Sequence, residues 1–166
     1  MKEKIGFKKV LDIINLLVIN SWKEGQTSCK KLLKDAGENE NIDNRQKTEL
    51  LIFEMLAMTV SIRKVFNSEL LLDSFHEIIS EKVSNFEGTK EHFKKLLLDR
   101  YADYQETLEE GGSFIIFSLG KKFADNFLDK DTQAMALINY SGEVFFMNVK
   151  EYSKLLEEII AEYEVI

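Results

Sequence analysis

The thirteen residues Leu50-Leu51-Ile52-Phe53-Glu54-Met55-Leu56-Ala57-Met58-Thr59-Val60-Ser61-Ile62 decide the fold. Apolar side chains fall at every helical phase in this run, so a helix here has no broad side to give to water. Such a helix belongs in the middle of the molecule, with the other elements laid around it. The run holds Glu54 and Ser61 and is shorter than the roughly 20 apolar residues that cross a bilayer. With its polar flanks it predicts a helix from Asn44 to about Phe66.

Upstream, Val10, Leu11, Ile14, Leu17 and Val18 recur at helical spacing over Lys4 to Asn20, with Lys8, Asp12 and Asn15 on the other side. The stripe resumes after Gly25 with Cys29, Leu32, Leu33 and Ala36 nearly in phase. One long helix kinked at Gly25 therefore competes with two, and Gly37 ends the element. Downstream, Ser68 suits the N-cap of a helix from Glu69 to about Ser84. Thr89 suits the cap of one from Lys90 to about Glu109, with Gly88 just before it, and Gly111-Gly112 make the next turn. Ser113 suits the cap of a helix to about Leu128, whose inward face reads Ile116, Gly120, Phe123 and Phe127. Gly120 there would let a neighbouring helix come close. Residues 135–149 read either as helix or as a small β-hairpin turning at Ser141-Gly142, before a last helix from Val149 to about Tyr163.

Composition agrees with this helical reading. There is no proline, where average usage would give about eight, so the usual helix breaker is missing. Apolar residues make up 45% and include 12 Phe, which is enough for a sizeable core and argues against disorder. At 166 residues, a single helical domain over 1–166 is expected. The fold class predicted is all-α, a compact bundle of six to eight helices with the helix at about 44–66 in its centre.

The net charge of −7 is uneven: residues 1–35 hold eight Lys against four acids, +4, which leaves −11 to the rest. Phosphate repulsion by that remainder argues against nucleic acid as a partner. The basic N-terminal segment has solvent, the acidic C-terminal helix or an anionic partner to face. Lysine outnumbers arginine 19 to 3, a codon-driven bias that suggests an AT-rich, bacterial source. Cys29 alone forms neither an intramolecular disulfide nor a cysteine cage. Asp12 and Asn15 interrupt the apolar stretch Val10 to Ile19, and no small-residue cleavage site follows, so the basic start does not read as a signal peptide. A cytoplasmic protein is expected.

The motifs that carry familiar chemistry each lack residues they require. Leu119-Gly120-Lys121-Lys122 resembles the end of a phosphate loop, but Ile115 stands where a glycine is required. A di-iron bundle needs two Glu-x-x-His pairs, and the chain offers Asp73-x-x-His76 with Thr89 three residues before His92. After Asp129 and Asp131, Ala134 and Tyr140 occupy the glycine and bidentate-acid positions of a calcium loop. There is no Gly-x-Ser-x-Gly elbow, and Cys29 on an apolar face reads as an inert buried thiol. No cofactor and no metal set is expected.

Two features remain. Glu54 has Leu50, Leu51, Ala57 and Met58 one turn away on either side, so its carboxylate needs a donor, an escape to the surface, or a proton. Arg100 borders an apolar stripe that contains Tyr101 and Tyr104, and its planar, multidonor head suits a buried acid. An Arg100–Glu54 pair with His76 as third member is the expected network, and Glu54, His76, Arg100, Tyr101 and Tyr104 are the candidate binding residues. For function the expectation is a non-catalytic interaction protein whose partner is another protein or a second copy of itself. The alternative is a pocket protein or enzyme for a small apolar or anionic molecule. A third reading, membrane-surface attachment through the basic first helix, needs apolar residues exposed on that helix.

Overall fold

A computed structural model describes residues 3–83 and 89–165. The all-α bundle contains α1 (Phe7–Asp35), α2 (Asn44–Val65), α3 (Glu69–Val83), α4 (Lys90–Glu110), α5 (Ile115–Leu128) and α6 (Met135–Glu162). Short strands β1 (Glu3–Ile5) and β2 (Tyr163–Val165) pair in parallel, with Lys4 opposite Glu164. The two strands were not expected from sequence. Three residues each are too few to show an alternation. Their pairing brings the basic start of the chain to the end of α6.

Helix α2 is the centre, as its all-round apolar sequence requires. Every residue from Leu50 to Thr59 is buried. Phe53 alone touches aromatic rings from three helices: Tyr104 of α4, Phe123 of α5 and Phe145 of α6, with ring centroids 5.2, 4.5 and 5.1 Å away. A capping box starts the helix, with the Gln46 amide donating to Asp43 Oδ1 at 2.7 Å and the Asp43 amide to Gln46 Oε1 at 3.1 Å. In the first turn, Arg45 donates to the carbonyls of Asn126 and Phe127, both at 2.8 Å. A cation thus closes the C-terminal end of α5 where the helix dipole favours it.

The chain does not break at Gly25: α1 is one helix, and Gly25 is the position where Leu50 of α2 packs against it. Trp22 fastens the same two helices by donating to the Lys47 carbonyl at 2.8 Å. Asn15, expected on the polar side of α1, is buried, and neither of its amide atoms has a hydrogen-bond partner among the described residues. Ser68 and Thr89 act as expected, accepting from the amides of Leu71 and His92 at 3.3 Å each. Ser113 does not: α5 starts after Phe114 with no side-chain cap. Ser84 and Gly88 lie outside the described residues.

No hairpin forms at 135–149, which is the first half of the 28-residue α6. The β-rich composition of Glu143 to Val149 loses to burial against α2 and α5, and Gly142 sits within the helix rather than at a turn. Gly142 and Gly120 form a reciprocal seam. A Cβ on Gly120 would lie 1.9 Å from the Ile138 carbonyl oxygen, and one on Gly142 would lie 2.0 Å from that of Ile116. Backbone meets backbone there, so neither neighbour can rotate away. Among the described residues no helix is long and apolar enough to cross a membrane.

Gly120→Ala and Gly142→Ala are each expected to destabilise the protein by about 3 kcal/mol or more, beyond the usual cost of overpacking. At Gly25 the obstacle is the flexible end of Leu50, 3.2 Å from an added Cβ. Gly25→Ala is therefore expected to change stability by less than about 1 kcal/mol, because the helical gain of alanine offsets the crowding. Urea denaturation of the three variants checks the ranking; equal effects at all three positions would contradict the seam.

Candidate functional site

The five candidate residues do not meet in one place. Glu49 and Glu54 are five positions apart on α2, so at about 100° per residue they leave the helix in quite different directions. Each finds its own partners.

Arg100 of α4 pairs with Glu49, its Nε donating to Oε2 at 2.7 Å. Tyr104 donates to Glu49 Oε1 at 2.5 Å, and Asn126 of α5 donates to the Tyr104 hydroxyl at 3.3 Å. Burial raises the Tyr104 phenol well above its ordinary value, and the Glu49 charge adds to this. The expected Arg100–Glu54 pair is thus replaced by Arg100–Glu49. Sequence reasoning passed over Glu49 because polar Arg45 and Gln46 stand one turn before it. The signal that finds it is the burial of α2 on every side.

Glu54 is buried, and no cation pairs with it among the described residues. Its Oε2 accepts from Asn148 at 2.8 Å and lies 3.2 Å from the Tyr152 hydroxyl, both on α6. That hydroxyl is also 2.6 Å from Ser21 Oγ, so one phenolic proton serves two oxygens. Burial pushes the Glu54 carboxyl up to about 7; the bonds from Tyr152 and Asn148 pull it down, and Glu24 pushes it further up. Cys29 shares with it a small, partly enclosed cavity of about 10 Å³, the room of roughly one water molecule. Burial, with the Glu54 charge, pushes the Cys29 thiol up to about 12, which keeps it un-ionised at neutral pH.

His76 of α3 joins neither acid. Its Nε2 lies 3.0 Å from Thr59 Oγ1 and 3.2 Å from the Tyr101 hydroxyl, and those two oxygens are 3.1 Å apart. Burial lowers the imidazole to about 4; Asp73 opposes this and Arg63 adds to it. A neutral ring therefore ties α2 to α3 and α4. Its outer side borders an open cleft of about 310 Å³ that Asp73, Glu77, Lys94 and Leu98 also line. Glu77 there is already bound to Lys90 and Lys94. Among the described residues no group of three or more His, Cys, Asp or Glu is placed to hold a metal ion.

A feature that sequence reasoning missed lies at the start of α5. Gly111 and Gly112, at φ 58° and 89°, turn the chain sharply out of α4. Phe114, Ile116 and Phe117 then stand 77%, 44% and 39% exposed. Ile116 was expected inward with Gly120, Phe123 and Phe127, and only the last three are buried. Four apolar residues in a row, Phe114 to Phe117, wrap the whole first turn, so one neighbouring helix cannot cover them all. Phe117 shares a cleft with Glu106 and Glu110 of α4. No cation pairs with either acid among the described residues. Lys121 is taken by Asp125 and Asp131, and Lys122 by Asp103.

No protein-family model, curated protein or solved structure matches this chain. Function has to be argued from the geometry alone.

The raised Glu54 carboxyl fixes the sign of one pH effect. Relative to an ordinary value of 4.5 in the unfolded chain, its stabilising contribution is whole below that pH and is lost as pH rises through about 7. The full loss amounts to about 3 kcal/mol. His76 acts oppositely: its contribution is whole above 6.5 and is lost as pH falls through about 4. The stability difference between Glu54→Gln and the wild-type protein, which cancels the His76 effect, is therefore expected to grow in favour of the variant between pH 4.5 and 7. Paired denaturation curves check this; a difference that does not change with pH would contradict an uncompensated buried acid.

Proposed function

We propose that this protein is a docking module that engages another polypeptide through the first turn of α5. What supports this reading is the exposed apolar group Phe114, Ile116 and Phe117, of which Phe117 shares a cleft with Glu106 and Glu110, two carboxylates that no cation pairs among the described residues although Lys121 and Lys122, held by other acids, line the same cleft. Consecutive exposed aromatic and aliphatic residues cost solubility and return nothing to the isolated fold. The acids are also misplaced for the fold. They lie in the last turns of α4, which has no basic residue in its last turn, where the helix dipole disfavours negative charge.

A partner segment with apolar anchors and lysines or arginines would relieve both costs at once. An anionic lipid surface would be repelled by the same acids. A cytoplasmic setting belongs to the proposal, since a lone buried thiol gains nothing from an oxidising compartment. The small-molecule reading has less behind it: the small cavity beside Glu54 is water-sized, and the charges in the His76 cleft are largely matched by one another.

Two measurements test the docking reading. Glu110→Lys is expected to raise stability by roughly 0.5 kcal/mol, showing that the acid is kept for something other than folding. A loss of stability of that size would assign it a structural role instead. A photo-crosslinking residue at Phe114, compared in cells with one at the equally exposed Leu98, is expected to give a discrete protein adduct only from position 114. The crosslinked peptide should carry basic residues beside apolar ones, and Glu106→Lys/Glu110→Lys should abolish the adduct. Identical adducts from both positions, or none from 114, would overturn the reading.

A further inference from the structure

We infer that the segment received by the α5 site is the solvent face of α1 on a second copy of this chain, an inference that rests on the docking reading. The same molecule carries a surface of opposite character. On α1, Lys9, Leu16, Lys23 and Lys30 follow at steps of seven, so they lie along one line of the helix, and Lys8 and Lys31 flank it. All five lysines are exposed, and none pairs with a carboxylate among the described residues. Leu16 stands 61% exposed among them, while Asp12 is an acid inside the stripe.

The two surfaces match in kind. One presents unpaired lysines around a single exposed leucine. The other presents Glu106 and Glu110, unpaired among the described residues, in one cleft with Phe117, and Phe114 and Ile116 are exposed on the same first turn of α5. Leu16 and Lys23 are about 10 Å apart along the axis at 1.5 Å per residue, so one helical line offers an apolar and a cationic group, the two kinds that the cleft of Phe117, Glu106 and Glu110 would receive. Different patches of the two copies meet, so the contact stops at a dimer only if both pairs of patches engage about one two-fold axis, and otherwise closes into a ring or continues as a chain.

Charge reversal on each side separates this contact from any other. Sedimentation velocity of the purified full chain, from low to high micromolar and at low and high salt, is expected to show association that salt weakens. Lys23→Glu/Lys30→Glu and Glu106→Lys/Glu110→Lys should each weaken it by at least about tenfold, with unchanged circular dichroism. Mixing the two variants should restore it, because the reversed charges again oppose one another. Association of equal strength in either variant alone, or binding of the monomer to anionic vesicles through the α1 lysines, would overturn the inference. A wild-type chain that stays monomeric while position 114 crosslinks to a different protein would overturn the self-contact and leave the docking reading standing. A monomer with no adduct at 114 would remove both.

Discussion

Everything in this structure follows from the burial of α2. A helix without a water-facing side must be enclosed, and every polar group it carries must then be satisfied from its neighbours. Thr59 is met by His76 and Tyr101, and Ser61 donates to the carbonyls of Ala57 and Val149. Glu49 takes a cation and a phenol, whereas Glu54 takes only neutral donors. The two acids thus illustrate two solutions to one problem. Glu49 faces the edge of α4, where Arg100 reaches it with its head still partly in water. Glu54 faces α6, which offers it only the neutral donors Asn148 and Tyr152, and burial there raises its carboxyl to about 7.

The enclosure is completed by a seam that depends on two glycines. Gly120 and Gly142 bring the backbones of α5 and α6 into direct contact, which anchors α5 along its middle. Its far end is held by Arg45 from the start of α2. At the near end the seam reaches the Ile116 carbonyl beside Gly142 but leaves side chains uncovered. There the chain leaves α4 through two left-handed glycines, α5 begins without a side-chain cap, and Phe114, Ile116 and Phe117 stay exposed. The contrast between a tightly held helix backbone and the exposed side chains at its start is what the docking proposal rests on.

Much of this architecture was legible in the sequence because it depends on local pattern. The central position of the helix near 44–66 follows from apolar residues at every phase, and the caps at Ser68 and Thr89 from residue type alone. The role of Gly120 follows from a small residue on an apolar stripe. Legibility fails where two distant elements decide the outcome. Gly142 looked like a turn because glycine usually ends helices, and only the partner glycine on α5 explains it within one. Ser113 is a good cap residue, yet the turn at Gly111-Gly112 delays the helix past it. The expected Arg100–Glu54 pair failed for a geometric reason: both residues were correctly judged to need partners, but the direction in which each leaves its helix is set by packing. Of the candidate set, Arg100 and Tyr104 meet at Glu49 and His76 and Tyr101 meet at Thr59, while Glu54 stands apart from both.

The most direct test of the central claim is native-state hydrogen exchange along α2. If the fold depends on the enclosure of this helix, the amides from Leu50 to Ser61 exchange only when the whole molecule opens. Their opening free energies then equal the global stability measured by denaturation. Exchange of these amides through an opening of lower free energy than that of α6, or of α1, would mean that α2 can come free while the rest stays folded, and would contradict the account.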